Sequence, residues 1–91
     1  MYELTPTIYL KFAELLLAEI GTRDFYSGSL TLCDGDVECR LITTLVVERD
    51  RHAPGHIVAI LPVWWDFKTT LDGEVITNDF SFSEMLETVD L

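Results

Sequence analysis

Apolar residues recur at Ile8, Phe12, Leu15, Leu16 and Ile20, spacings of three and four that lay one stripe along a helix, with Lys11 and Glu14 on the opposite side. Thr5 supplies a hydroxyl for the N-cap, Pro6 stands at the first helical position where its missing N–H costs nothing, and Gly21 suits a left-handed position after the last turn. These signals predict a helix over residues 6–20. Tyr9, Leu10 and Leu17 widen the stripe, which predicts that the helix touches more than one surface and is sandwiched.

The period then changes from 3.6 to two. Phe25 to Cys33 and Val37 to Glu48 alternate around Asp34-Gly35, a dipeptide that favours a two-residue type I′ hairpin turn. That turn places Cys33 opposite Asp36 and Leu30 opposite Cys39, and gathers Tyr26, Leu30, Leu32, Val37, Cys39, Leu41 and Leu45 on one face. Cys33 falls on the other face, so a disulfide with Cys39 is not expected. A polar loop, Arg49 to Gly55, leads to a third strand from His56 to about Thr69, with a kink or edge position at Pro62. Asp72-Gly73 marks a second hairpin, pairing Thr70 with Val75 and setting Trp65, Phe67, Thr69 and Ile76 on one face. The closing segment, Asn78 to Leu91, carries Ser81 and Glu84 as a capping box and Phe80 as a staple onto Met85; Phe82, Met85, Leu86 and Val89 form one stripe of a short docked helix. The expected fold is therefore α+β: a four-stranded antiparallel β-meander with an N-terminal helix and a short C-terminal helix packed on it, in one domain spanning residues 1–91.

Charge restricts the function classes more than it restricts the fold. With 91 residues and 48% hydrophobic content the chain has enough apolar side chains for one small core. Sixteen acids against six Lys and Arg leave a formal charge of −10, of which residues 1–33 carry −2 and residues 34–91 carry −8. Such a surface repels phosphate backbones and anionic lipid, so neither direct nucleic-acid binding nor membrane binding is expected. The run Ile8–Ile20 is interrupted by charges and too short for a bilayer, and the first residues lack a signal peptide's pattern. Two cysteines at this spacing fit neither a zinc knuckle nor a redox pair, and the setting expected is cytoplasmic.

Consecutive strand residues point to opposite faces, so Trp64-Trp65 sets an indole on each side of the sheet. Trp65 is assigned to the core. Trp64 joins Ile42, Val46, Val58 and Ile60 in an apolar second face, which either the terminal helix covers, in a helix–sheet–helix arrangement, or another chain does. His52 and His56 stand four apart, but Pro54 and Gly55 break the helix that would aim both rings at one ion, even with Asp50 beside them, and no metal site is expected. The second hairpin brings Asp66, Asp72, Glu74 and Asp79 near one another, with Asp66 opposite Asp79. Paired acids suit acid–base work, yet only Lys68 accompanies them, short of what a reaction requires. Cys33 as a nucleophile is disfavoured by Asp34, Asp36 and Glu38, which raise a thiol pKa. No phosphate loop, dinucleotide fingerprint, nucleophile elbow or His-Glu-x-x-His occurs, and no cofactor is expected.

The stretches Leu61-Pro62-Val63-Trp64-Trp65-Asp66-Phe67, Asp72-Gly73-Glu74-Val75 and Asn78-Asp79-Phe80-Ser81-Phe82-Ser83-Glu84 resemble a group of small uncharacterised bacterial proteins carried on or near mobile genetic elements. The resemblance covers the last third of the chain and implies a bacterial, cytoplasmic, accessory role without assigning functional residues. The function expected from the residues themselves is a non-enzymatic interaction or regulatory module that meets a protein partner through its acidic surface or its apolar second face. The residues expected at the contact are Trp64, Val58, Ile60, Asp66, Asp72 and Glu74. Three alternatives stand beside it: a structural homodimer through the second face, an acidic nucleic-acid mimic using Asp66, Asp72 and Glu74, and a ligand binder or enzyme using Asp66/Asp79 or a pocket beneath the first helix.

Overall fold

A computed structural model describes residues 1–90, so Leu91, the end of the predicted closing segment, lies outside the described residues. The order is α1 (Pro6–Ile20), β1 (Phe25–Asp34), β2 (Val37–Arg49), β3 (Ile57–Leu71), β4 (Glu74–Ile76) and α2 (Phe82–Glu87). The strands form one antiparallel sheet in the order β1-β2-β3-β4. The expected α+β meander with a helix at each end is the fold.

Both helix starts follow from their caps. The Thr5 hydroxyl accepts from the Ile8 N–H with Pro6 at the first position, and the Ser81 hydroxyl accepts from the Glu84 N–H. The capping box at α2 is not reciprocal, because the Ser81 N–H donates to the Tyr9 hydroxyl at 3.0 Å. At the end of α1, Gly21 adopts φ 55° and ψ −121°, outside the left-handed helical region that the sequence suggests. It occupies the first central position of a turn closed by the Arg23 N–H on the Ile20 carbonyl, a geometry that favours glycine.

The two hairpins differ in how their turns form. Asp72 (φ 51°) and Gly73 (φ 80°) both have positive φ, as type I′ requires, and Thr70 pairs with Val75 as expected. In the first hairpin Asp34 pairs with Val37, so the loop is Gly35-Asp36, with positive φ at Gly35 alone. That is the type II′ pattern, which takes glycine first. Leu30 consequently faces Leu41 rather than Cys39. The register moves by two, a full side-chain period, so the predicted face survives: Tyr26, Leu30, Cys39, Leu41 and Leu45 are buried, and Leu32 and Val37 partly so.

Both helices lie on that face. Phe12, Leu16, Ile20, Leu41, Leu45, Cys39 and Met85 are fully excluded from solvent in one core. Its centre is an aromatic stack: the Phe67 and Phe80 rings are parallel with centroids 4.0 Å apart, Phe12 meets Phe67 edge-on at 5.3 Å, and Trp65 meets Phe80 at 5.4 Å. The fold has two layers, in place of the helix–sheet–helix sandwich, and α1 is not sandwiched, since Leu10 and Leu15 on its outer side are exposed.

Polar clasps hold the ends of this core. Arg49 donates to the Gly21 and Arg23 carbonyls at 2.9 and 2.8 Å and to Asp24 at 3.1 Å, which ties the end of α1 to β2. Asn78 donates to the Phe67 carbonyl and to the buried Thr69 hydroxyl, and Tyr2 bridges to Asn78 in parallel. The chain's first residues are thereby fastened beside its last third.

Candidate functional site

With both helices on one side, the opposite face of the sheet is bare. Register sets its positions in rows that cross three strands. Starting from the end beside the 50–56 loop, Glu48 pairs with Ala59; then come Phe25–Val46–Leu61, Ser27–Thr44–Trp64, Ser29–Ile42–Asp66 and Thr31–Arg40–Lys68. The Ser27 and Thr44 hydroxyls are 2.9 Å apart and hydrogen-bonded. Phe25 and Trp64 are 55% and 54% exposed and Leu61 46%, a contiguous apolar patch of the kind that marks contact surfaces on small domains. Val46 completes it, and Ile42 is half-buried beside it.

Trp64 therefore stands on the second face to which the sequence reading assigned it, in the middle row of that face, and the terminal helix does not cover it. Val58 is also exposed, as the extra residue at a register shift between Glu48 and Arg49. Ile60 is not part of the face: it is 5% exposed and belongs to the core. The reason is a bulge. Thr44 pairs with Trp64 and Leu45 with Pro62, which leaves Val63 as an additional residue and inverts the alternation on its N-terminal side. Leu61 takes the surface position beside Val46 that simple alternation assigns to Pro62, and Ala59 takes the one it assigns to Ile60. The bulge is stabilised from within by the buried Thr43 hydroxyl, which donates to the Trp64 carbonyl at 2.9 Å. Trp65 faces the helices as expected, but at the margin of the core: it touches Phe80 and Phe82 and stays 39% exposed. It walls a cleft of about 370 Å³ with Ile60, Phe82 and Leu86.

The carboxylates do not gather. Asp72 and Glu74 are exposed at the hairpin tip, whereas Asp66 lies on the open face opposite Ile42. Asp66 and Asp79 are not cross-strand partners, because β4 ends at Ile76. Asp79 instead accepts the Leu4 N–H at 2.7 Å, holding the N-terminal segment. Beneath α1 the space is filled by Phe12, Leu16 and Ile20, with no solvent access. Asp50 accepts from the His52 backbone N–H and closes a turn, and the described residues contain no group of three or more His, Cys, Asp or Glu that could hold a metal.

Both cysteines are free, Cys33 exposed and Cys39 buried on the covered face. Burial raises the Cys39 thiol pKa. Burial also raises the phenol pKa values of Tyr2, Tyr9 and Tyr26, reinforced at Tyr2 by its 2.6 Å hydrogen bond to Asp34.

β3 has no strand partner on its outer edge before Thr69, among the described residues. Pro62 offers no donor there and two register shifts break the edge, features that discourage strand addition. No described helix is long and apolar enough to cross a membrane. Comparison with protein-family models, curated proteins and solved structures finds no match.

Phe25 and Leu61 are the site residues that sequence reasoning missed. Phe25 was within reach, since it alternates with the buried Tyr26. Leu61 was hidden by the bulge, which leaves no mark in the hydrophobic pattern beyond the neighbouring proline.

Proposed function

We propose that this chain is a non-enzymatic interaction module that meets a protein partner through the open face of its sheet, with Trp64 at the centre of the contact. The observation that carries this reading is the layering: both helices cover one face, and Trp64 with the apolar Phe25–Val46–Leu61 row beside it is left in water. A large aromatic side chain flanked by aliphatic neighbours is the composition of interface hot spots. The open face favours the apolar surface over the acidic one, because the acids at the hairpin tip are dispersed and Asp66 stands apart from them. The separation of Asp66 from Asp79 likewise removes the acid pair on which an enzymatic reading would rest. The resemblance of the last third to small bacterial proteins of mobile elements adds a bacterial, cytoplasmic, accessory setting to the proposal.

The test compares Trp64→Glu with the tip variant Asp72→Lys/Glu74→Lys, both verified as folded by circular dichroism. Whatever association the wild type makes, with itself or with a bacterial protein, is expected to be lost with Trp64→Glu and retained with the tip variant. The reverse pattern overturns the reading in favour of an acidic contact.

A further inference from the structure

Resting on that reading, we infer that the occupant of the open face is a second copy of this chain, stacked sheet on sheet about a twofold axis that crosses the strands at the Ser27–Thr44–Trp64 row. Charge along the face selects this partner. The face carries three acids (Glu38, Glu48, Asp66) and two bases (Arg40, Lys68), a balance of −1 on a chain of −10, so little net repulsion opposes two copies meeting through it. None of these five side chains forms an ion pair within the described residues, where Arg49–Asp24 is the one salt bridge.

Their order along β2 is the decisive feature. Glu48 lies two rows to one side of Thr44 and Arg40 two rows to the other, with Val46 and Ile42 one row out on either side. A twofold axis across the strands at Thr44 reverses this order. It lays Val46 over Ile42 and Glu48 over Arg40, each pair occurring twice, and sets the two Trp64 rings beside the axis. An axis along the strands would instead lay the Thr31–Arg40–Lys68 row on its own copy, setting Arg40 against Arg40 or against Lys68 according to where the axis falls, which like charge opposes. The same axis brings Asp66 over Leu61 along the edge strand β3, where its carboxylate reaches solvent past the free edge. Rows about 7 Å apart on strands about 4.8 Å apart give five rows a footprint of roughly 500 Å². That is below the ~800 Å² per partner of a standard interface, so the dimer is expected to be concentration-dependent.

Sedimentation equilibrium on wild type, Glu48→Arg, Arg40→Glu and the double variant Glu48→Arg/Arg40→Glu tests this, with Trp64→Glu as the control for the face itself. The wild type should dimerise, each single reversal should weaken the dimer by about tenfold or more by opposing like charges twice, and the double variant should recover it to within about threefold. Circular dichroism checks that every variant is folded, which exposed positions on an established register should permit. A dimer indifferent to the single reversals, such as one joined edge to edge through β1, overturns the arrangement, as does a double variant that fails to recover. A wild type that stays monomeric while Trp64→Glu still abolishes binding to another protein overturns the second copy alone. Indifference of every association to Trp64→Glu overturns the interaction face as well.

Discussion

The two faces of one sheet carry side chains of similar character and have opposite fates. On the covered face Leu41, Leu45 and Phe67 meet α1 and the aromatic stack; on the open face Val46, Leu61 and Trp64 come from the same strands and meet water. Hydrophobicity alone does not separate them. What separates them is the connection: α1 and α2 enter and leave the sheet on the same side, and six residues of α2 supply just enough apolar surface, chiefly Phe82 and Met85, to finish one layer. The lesson is that an apolar strand residue reports a face that something covers, without saying whether the cover is in the same chain.

The sharpest way to break this contrast is to truncate each face in turn. Phe67→Ala, at the centre of the stack, should destabilise the fold by about 3–5 kcal/mol in denaturant titrations. The adjacent pair Ile60 and Leu61 then tests the bulge: Ile60→Ala should cost about 2–5 kcal/mol and Leu61→Ala about 0.5 kcal/mol, where uninterrupted alternation requires the reverse. Both are best measured at one low protein concentration, because association would add to apparent stability.

Alkaline pH probes the covered side without mutation. Tyr2, Tyr9 and Tyr26 have phenols raised by burial, so in the folded state they stay protonated where the unfolded chain ionises. Their contribution is fully present below the ordinary tyrosine pKa near 10 and is lost as pH rises beyond it. Melting temperature should therefore hold through neutral pH and fall above about pH 10, and Tyr→Phe replacements should flatten that decline. A smaller effect is expected at the helix start, where Thr5→Ala should cost about 1 kcal/mol. Smallest of all is Trp64→Glu, expected within about 0.5 kcal/mol in a dilute monomer while abolishing association.

Much of the architecture was legible in local chemistry. Thr5-Pro6, Ser81 and Asp72-Gly73 each act within four residues of themselves, so the sequence specifies them directly. The first hairpin shows a softer case: Asp34-Gly35 and Gly35-Asp36 both offer acceptable turns, and the choice shifts register by two without moving any side chain to the other face. The bulge at Val63 was not legible, because it depends on the Thr43 hydroxyl across the sheet and inverts Ile60 and Leu61. The same holds for Asp79, whose partner Leu4 is 75 residues away in the chain. Trp64 was found because alternation around a tryptophan pair needs no long-range information, and its surroundings were misdrawn where the bulge intervenes.

The adjacent indoles give the molecule two optical reporters that divide the labour. Trp65, in contact with Phe80 and Phe82, senses the integrity of the helix-covered side, while Trp64 senses whatever approaches the bare one. With Trp64→Phe the remaining emission should follow unfolding, and with Trp65→Phe it should follow concentration or added partner. Folding and recognition can thus be read separately, each in its own single-tryptophan variant, from neighbouring residues of the same strand.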